Sequence, residues 1–188
     1  GFTTGPAEPP EPPGPAQLVL SEFVATNDGG LRDDDGSRED WIELHNAGGA
    51  PVDLLGWRLT DDPQNLSRWV FPARTLAPGA YLIVFASGKD RAPATGTLHA
   101  NFRLDGSRGD FLALVRPDGT VADAMEPRPQ FSDLAYGRGS NGGTHGYLTP
   151  TPNAANGPSF PFGLNEVAFS VPRGFLTGPQ TLALTASV

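Results

Sequence analysis

The sequence predicts an all-β fold, a two-sheet β-sandwich followed by a short, incomplete second β segment. Two observations carry that reading. Apolar runs of strand length alternate with clusters rich in glycine and proline, of which the chain has 24 and 20, and such clusters punctuate turns. No longer stretch repeats its apolar positions with the 3.6-residue period of an amphipathic helix.

Taken in order, residues 5–16, GPAEPPEPPGPA, hold six prolines among small and acidic residues. That composition favours an extended spacer, so residues 1–17 read as a linker. Strands are expected at residues 18–24, 40–45, 52–60, 68–71, 81–86, 111–116 and 120–125. Ala77-Pro78-Gly79-Ala80 is a turn, and Arg116-Pro117-Asp118-Gly119 between two apolar runs is a hairpin signal. Strand alternation sends Ile42 and Leu44 to one face and Trp41 and Glu43 to the other. The expected core is Ile42, Leu44, Leu54, Trp57, Leu59, Phe71, Leu82, Val84, Leu112 and Leu114. Residues 149–161, TPTPNAANGPSFP, form a second breaker-rich boundary, which places the sandwich domain at 18–156. Beyond it, residues 167–172 and 180–186 read as two strands. A two-stranded piece is marginal alone in water. Residues 157–188 are therefore expected to be a linker and the first strands of a truncated second β domain, completed by another domain or another chain.

Thirteen basic against 21 acidic residues give a net charge of −8 without a basic cluster, which argues against nucleic acid or an anionic membrane surface as partner. No apolar stretch is long enough to insert in a bilayer. The chain has no cysteine, so a disulfide framework and a thiolate metal site are both excluded.

Three separated segments carry a resemblance. They are Asp40-Trp41-Ile42-Glu43-Leu44-His45-Asn46, then Val52-Asp53-Leu54-Leu55-Gly56-Trp57-Arg58-Leu59-Thr60-Asp61, then Phe71-Pro72 with Leu76-Ala77-Pro78-Gly79-Ala80-Tyr81-Leu82-Ile83-Val84. In order and approximate spacing they resemble the lamin tail domain family, in particular its bacterial, extracellular branch. The resemblance runs from about Leu18 to Arg116, with a looser tail to Asn156. It implies an immunoglobulin-like sandwich set in a large secreted or cell-surface multidomain protein, and it implies no chemistry. The residues from Val167 onward resemble the opening strands of a chitobiase C-terminal type of β module.

The most suggestive segment chemically is the loop from Asn27 to Asp40. Asp33-x-Asp35-Gly36-Ser37 has the oxygen ligands and the tight turn that calcium favours, with Asp40 placed to close the shell. The expected metal ligands are therefore Asp33, Asp35 and Asp40, with calcium as the ion. Asp61 and Asp62 reach toward the same end of the sandwich. The full helix-flanked calcium-loop pattern is absent, and an acidic turn in water is the plain alternative. No catalytic residues are expected. His45, His99 and His145 lie far apart, in no metal or nucleophile motif, with His45 on a strand and His145 in the loop 139–146. Arg108-Gly109-Asp110 spells an adhesion tripeptide, a coincidence in a chain this rich in these residues, and Asn65-Leu66-Ser67 fits a glycosylation acceptor, which matters only in a eukaryotic secretory pathway. Trp41, Trp57 and Trp69 offer surfaces for stacking on sugars if exposed and coplanar, whereas strand tryptophans are mostly core. The leading expectation is a non-catalytic structural and interaction module, extracellular or at the cell surface, whose partners are neighbouring domains or other protein chains. A carbohydrate-binding module is the rival, with a subunit of an extracellular filament assembled by strand exchange as another alternative, and an enzyme reading ranks third.

Overall fold

The computed structural model describes residues 17–107, 111–126, 128–141 and 145–160, with the backbone of 166–169 and 184–187. The proline-rich residues 1–16 and Arg108-Gly109-Asp110 lie outside the described residues. The strands are β1 (Leu18–Val24), β2 (Trp41–Asn46), β3 (Val52–Asp53), β4 (Arg58–Thr60), β5 (Trp69–Val70), β6 (Thr75–Leu76), β7 (Tyr81–Phe85), β8 (Leu98–His99), β9 (Leu112–Val115), β10 (Val121–Met125), β11 (Ala135–Arg138), β12 (His145–Leu148), β13 (Glu166–Phe169) and β14 (Leu184–Ser187). No helix occurs among the described residues.

A six-stranded sheet in the order β12-β11-β1-β2-β7-β8 faces a four-stranded sheet in the order β10-β9-β4-β5, an immunoglobulin-like sandwich. The turns that drive the chain back are those the sequence spells. At Ala77-Pro78-Gly79-Ala80 the amide of Ala80 returns to the Ala77 carbonyl, and Gly79 takes a φ of 71°, which suits glycine. The β9–β10 hairpin closes with Gly119 N–H on Arg116 O and Thr120 N–H on the Asp118 carboxylate.

Between the sheets lie Ile42, Leu44, Leu54, Leu59, Phe71, Val84, Leu112 and Leu114, all buried, with Trp57 and Leu82 half-buried against them. The core also takes Leu20, Phe23, Trp69, Phe102 and Met125.

Three expectations need correction. The run 52–60 is not one strand: the Trp57 amide bonds back to the Leu54 carbonyl and Gly56 has a φ of 78°, so β3 pairs with β6 while β4 joins the small sheet. His145 is not in a loop but opens β12, opposite Arg138. The strands β6, β8, β11 and β12 lie where no strand was expected, because short or glycine-containing segments carry little periodicity of their own. The segments β13 and β14 pair antiparallel with each other, Val167 opposite Ala186.

Strand β1 does not lie flat. Its register slips between Leu20 and Glu22, a β-bulge. The freed Leu20 amide is satisfied from the other sheet by the Asp123 carboxylate at 2.8 Å, which also pairs with Arg138 at 2.5 Å. This cross-link ties β10 to β1 and closes one side of the sandwich.

Candidate functional site

The loop joining β1 to β2 builds one end of the sandwich. Its neck is tied by Asn27, whose amide nitrogen donates to the carbonyls of Leu31 at 2.7 Å and Glu39 at 2.8 Å, and whose oxygen accepts the Gly30 amide. Asp133, from the turn before β11, accepts the amides of Asp28 and Gly29 at 2.9 and 2.7 Å. Asparagine and aspartate do this readily because their short polar arms imitate backbone turns.

The acidic stretch is wound around Asp33. One of its carboxylate oxygens accepts the amides of Asp35 at 3.0 Å and Ser37 at 2.8 Å, while the other meets the ammonium group of Lys89. Lys89 also pairs with Asp35 at 2.9 Å and Glu39 at 3.6 Å. Arg91 reaches Asp35 at 2.9 Å, and Arg103 reaches Glu39 at 2.6 Å. Burial pushes the Asp33 carboxyl up, but the Lys89 ammonium and the surrounding amides outweigh it and hold it below the usual range. Asp35 is held at about 2 by the Arg91 and Lys89 hydrogen bonds.

Of the residues expected to ligate calcium, Asp33 and Asp35 are thus brought together, around a cation that the protein itself supplies. Asp40 stands immediately before β2, where its carbonyl accepts the Ala86 amide. Among the described residues, the ligand atoms that converge within 4.8 Å of one another are those of Asp33, Asp34 and His99. The sequence could not announce Lys89, Arg91 or His99 as members of this cluster. Their side chains arrive from more than fifty residues away, through β7 and its parallel partner β8.

His99 is fully buried between two partners, Ser87 Oγ at 2.9 Å from Nδ1 and Asp34 Oδ1 at 2.8 Å from Nε2. The composition is that of a nucleophile, a base and an orienting acid, but access is inverted. The Ser87 hydroxyl is 1% exposed and takes the Lys89 amide, while Asp34 faces solvent. A substrate carbonyl cannot come within bonding distance of that oxygen, so in this structure the triad serves as a structural network.

The other histidines stand apart. His45 lies on β2, stacked on Tyr81 at 4.3 Å with its pKa lowered by burial, and His145 lies near Tyr136. Trp41 and Trp69 are 1% and 2% exposed, and Trp57 is half-buried, so neither fully buried indole offers a face to a sugar. Asn65 is exposed.

Against the same loop, on the outer face of the large sheet, a cavity of about 700 Å³ opens. Val24, Leu31, Trp41, Pro150 and Pro152 line it, with Arg32 and Asp133 among its polar lining. Its floor belongs to a second apolar cluster, Val24, Trp41, Phe85, Ala135 and Leu148, separate from the core between the sheets. Alternation alone would have left Trp41 on a solvent face. The segment 149–157 covers it instead, which only the fold reveals.

The Lamin Tail Domain family model matches residues 11–128, well over half of the chain. No curated protein matches it.

Proposed function

This chain belongs to the lamin tail domain family, and we propose that it serves as a non-catalytic interaction module of a secreted or cell-surface multidomain protein. It docks an extended segment of a protein partner at the end built by the β1–β2 loop. One observation carries this reading: the 700 Å³ cavity with its apolar floor of Val24, Leu31 and Trp41, held on a rigid sandwich. Concave, mostly apolar sites with a few polar groups at hand are where proteins bind ligands and side chains. In this reading the charged side chain of Arg32 orients the partner's backbone while an apolar side chain packs against Leu31 and Pro152, all of them in the cavity lining. The proline-rich residues 5–16 and the breaker-rich 149–161 support a place between neighbouring domains.

Peptide display against the full chain tests it. Selected peptides should lose binding to a Leu31→Asp variant and keep it with Val70→Asp, which alters an exposed valine on the small sheet. Equal binding to Leu31→Asp overturns the reading.

Calcium at Asp33, Asp35 and Asp40 is a secondary proposal. An ion there must displace Lys89 from two carboxylates, so its expected signature is a melting temperature that rises only at millimolar calcium.

A further inference from the structure

The outer face of the large sheet carries two charges where none belongs. Glu22 on β1 and Glu43 on β2 are direct cross-strand partners, and both are 0% exposed. Like charges opposite each other destabilise a sheet, and a buried carboxylate without a cation is costly. No ion pair among the described residues involves either one. Each has one oxygen with a partner and one without: Glu22 Oε2 and Glu43 Oε1 are buried and unbonded.

The bonded oxygens both hold the segment that covers them. Glu22 Oε1 accepts the Thr151 amide at 2.7 Å, and Glu43 Oε2 accepts the Asn153 amide at 2.5 Å. Pro150 and Pro152 have no amide hydrogen, so every backbone donor of residues 150–153 goes to this pair. The same prolines wall the apolar cavity.

We propose that Glu22 and Glu43 share a proton and work as a clasp. With the proton in place they hold residues 151–153 on the sheet, and when it leaves, the segment walling the cavity is released. A proton between the two unbonded oxygens makes one acid the donor to the other, which removes both the repulsion and the unsatisfied atoms. The use of the clasp rests on the docking reading of the cavity, since opening that wall changes access to Leu31 and Trp41.

The groups around the pair leave the proton as the neutralising charge. From β1, Ser21 lies beside Glu43 and eases its ionisation slightly, and from β7, Tyr81 faces it, its own ionisation made harder by burial and by that carboxylate. From β11 the partner of Glu22 is Gly137, whose backbone approaches so closely that a Cβ there would lie 2.6 Å from the Glu22 Cα. The next residue, Arg138, turns to the other face and pairs with Asp123. His45, two residues along β2, stacks on Tyr81. Residues 149–157 contain no ionisable side chain. Burial, above all, raises both carboxyls from 4.5 to about 7, which puts the release near neutrality.

Hydrogen exchange of the Thr151 and Asn153 amides in the full chain, corrected for the intrinsic pH dependence of exchange, reads the clasp directly. Protection should fall about tenfold or more between pH 5.5 and 8. Glu43→Gln, which copies the protonated acid, should flatten that dependence, and Glu22→Gln should do the same should the first variant fold poorly. Equal protection at both pH values overturns the proposal, as does a glutamine variant that keeps the pH dependence. A loss of protection on adding chelator at pH 8 also overturns it, because a metal ion would then be the neutralising charge. Peptide binding is scored separately: a clasp seen by exchange without any peptide bound refutes the docking reading alone, and peptides lost on Leu31→Asp without pH-dependent exchange refute the clasp alone.

Discussion

Replacing Lys89 by methionine should destabilise the fold and make its stability more sensitive to calcium than that of the parent chain. Methionine keeps most of the aliphatic stem, so the change isolates the ammonium group. The Asp33 side chain is 0% exposed and that of Lys89 is 20% exposed, whereas the Asp35 side chain is 41% exposed. Breaking a fully buried pair costs about 3–5 kcal/mol and an exposed one about 0–1 kcal/mol. Asp33 is buried but keeps two backbone amides when Lys89 is lost, which sets the expected cost at about 2 kcal/mol. For a chain of this size that is a fall in Tm of about 4–8 °C by calorimetry. Because the Asp33 carboxyl is held below its ordinary value of 3.8, the Lys89 contribution is present above that value and is lost as pH falls through the lower folded one. The gap between parent and variant should therefore close in strong acid. Millimolar calcium should recover part of the lost Tm, since the vacated carboxylates attract a cation. Arg91→Met, at a side chain 46% exposed, should change Tm by about 2 °C or less. A Lys89→Met variant within 1 °C or so of the parent, or no worse than Arg91→Met, refutes the view that the ammonium holds the loop.

Three further outcomes follow from the packing. Since both buried glutamates have folded values near 7 against 4.5, the folded state holds protons that the unfolded chain releases between those values. Stability should therefore fall as pH rises through that window, and Glu43→Gln should stabilise the fold at pH 8 by on the order of 2 kcal/mol, read as a higher Tm, while doing little at pH 4. Gly137→Ala should cost more than about 2 kcal/mol in urea unfolding, because its Cβ would press on the backbone of Ser21 and Glu22. Leu114→Ala, at a residue 0% exposed in the core between the sheets, should cost about 2–5 kcal/mol by the same measurement.

The limits of strand-pattern reading show in Trp41 and Glu43. Period-two alternation correctly separates them from Ile42 and Leu44, but it cannot say whether a second face meets water. That face is covered by residues far along the chain, a consequence of loop 27–32 and segment 149–157 folding over it. Asp33 and Asp35 were legible as members of one acidic turn because their own spacing makes it. Lys89 was not, because a lone lysine in Ser87-Gly88-Lys89-Asp90 carries no local signal of where its ammonium will land.

What the sequence determined by itself is whatever local chemistry decides. The class of fold, the Ala77-Pro78-Gly79-Ala80 and Arg116-Pro117-Asp118-Gly119 turns, and most of the core follow from side-chain alternation and from the backbone freedom of glycine and restriction of proline. The tertiary structure alone decided which sheet each strand joins, where the run 52–60 breaks, and which cation sits in the acidic loop. It also decided that Glu22 and Glu43, on adjacent strands, would be buried together. Those outcomes depend on contacts between residues distant in the chain, whose energies belong to pairs and cannot be read from either member alone.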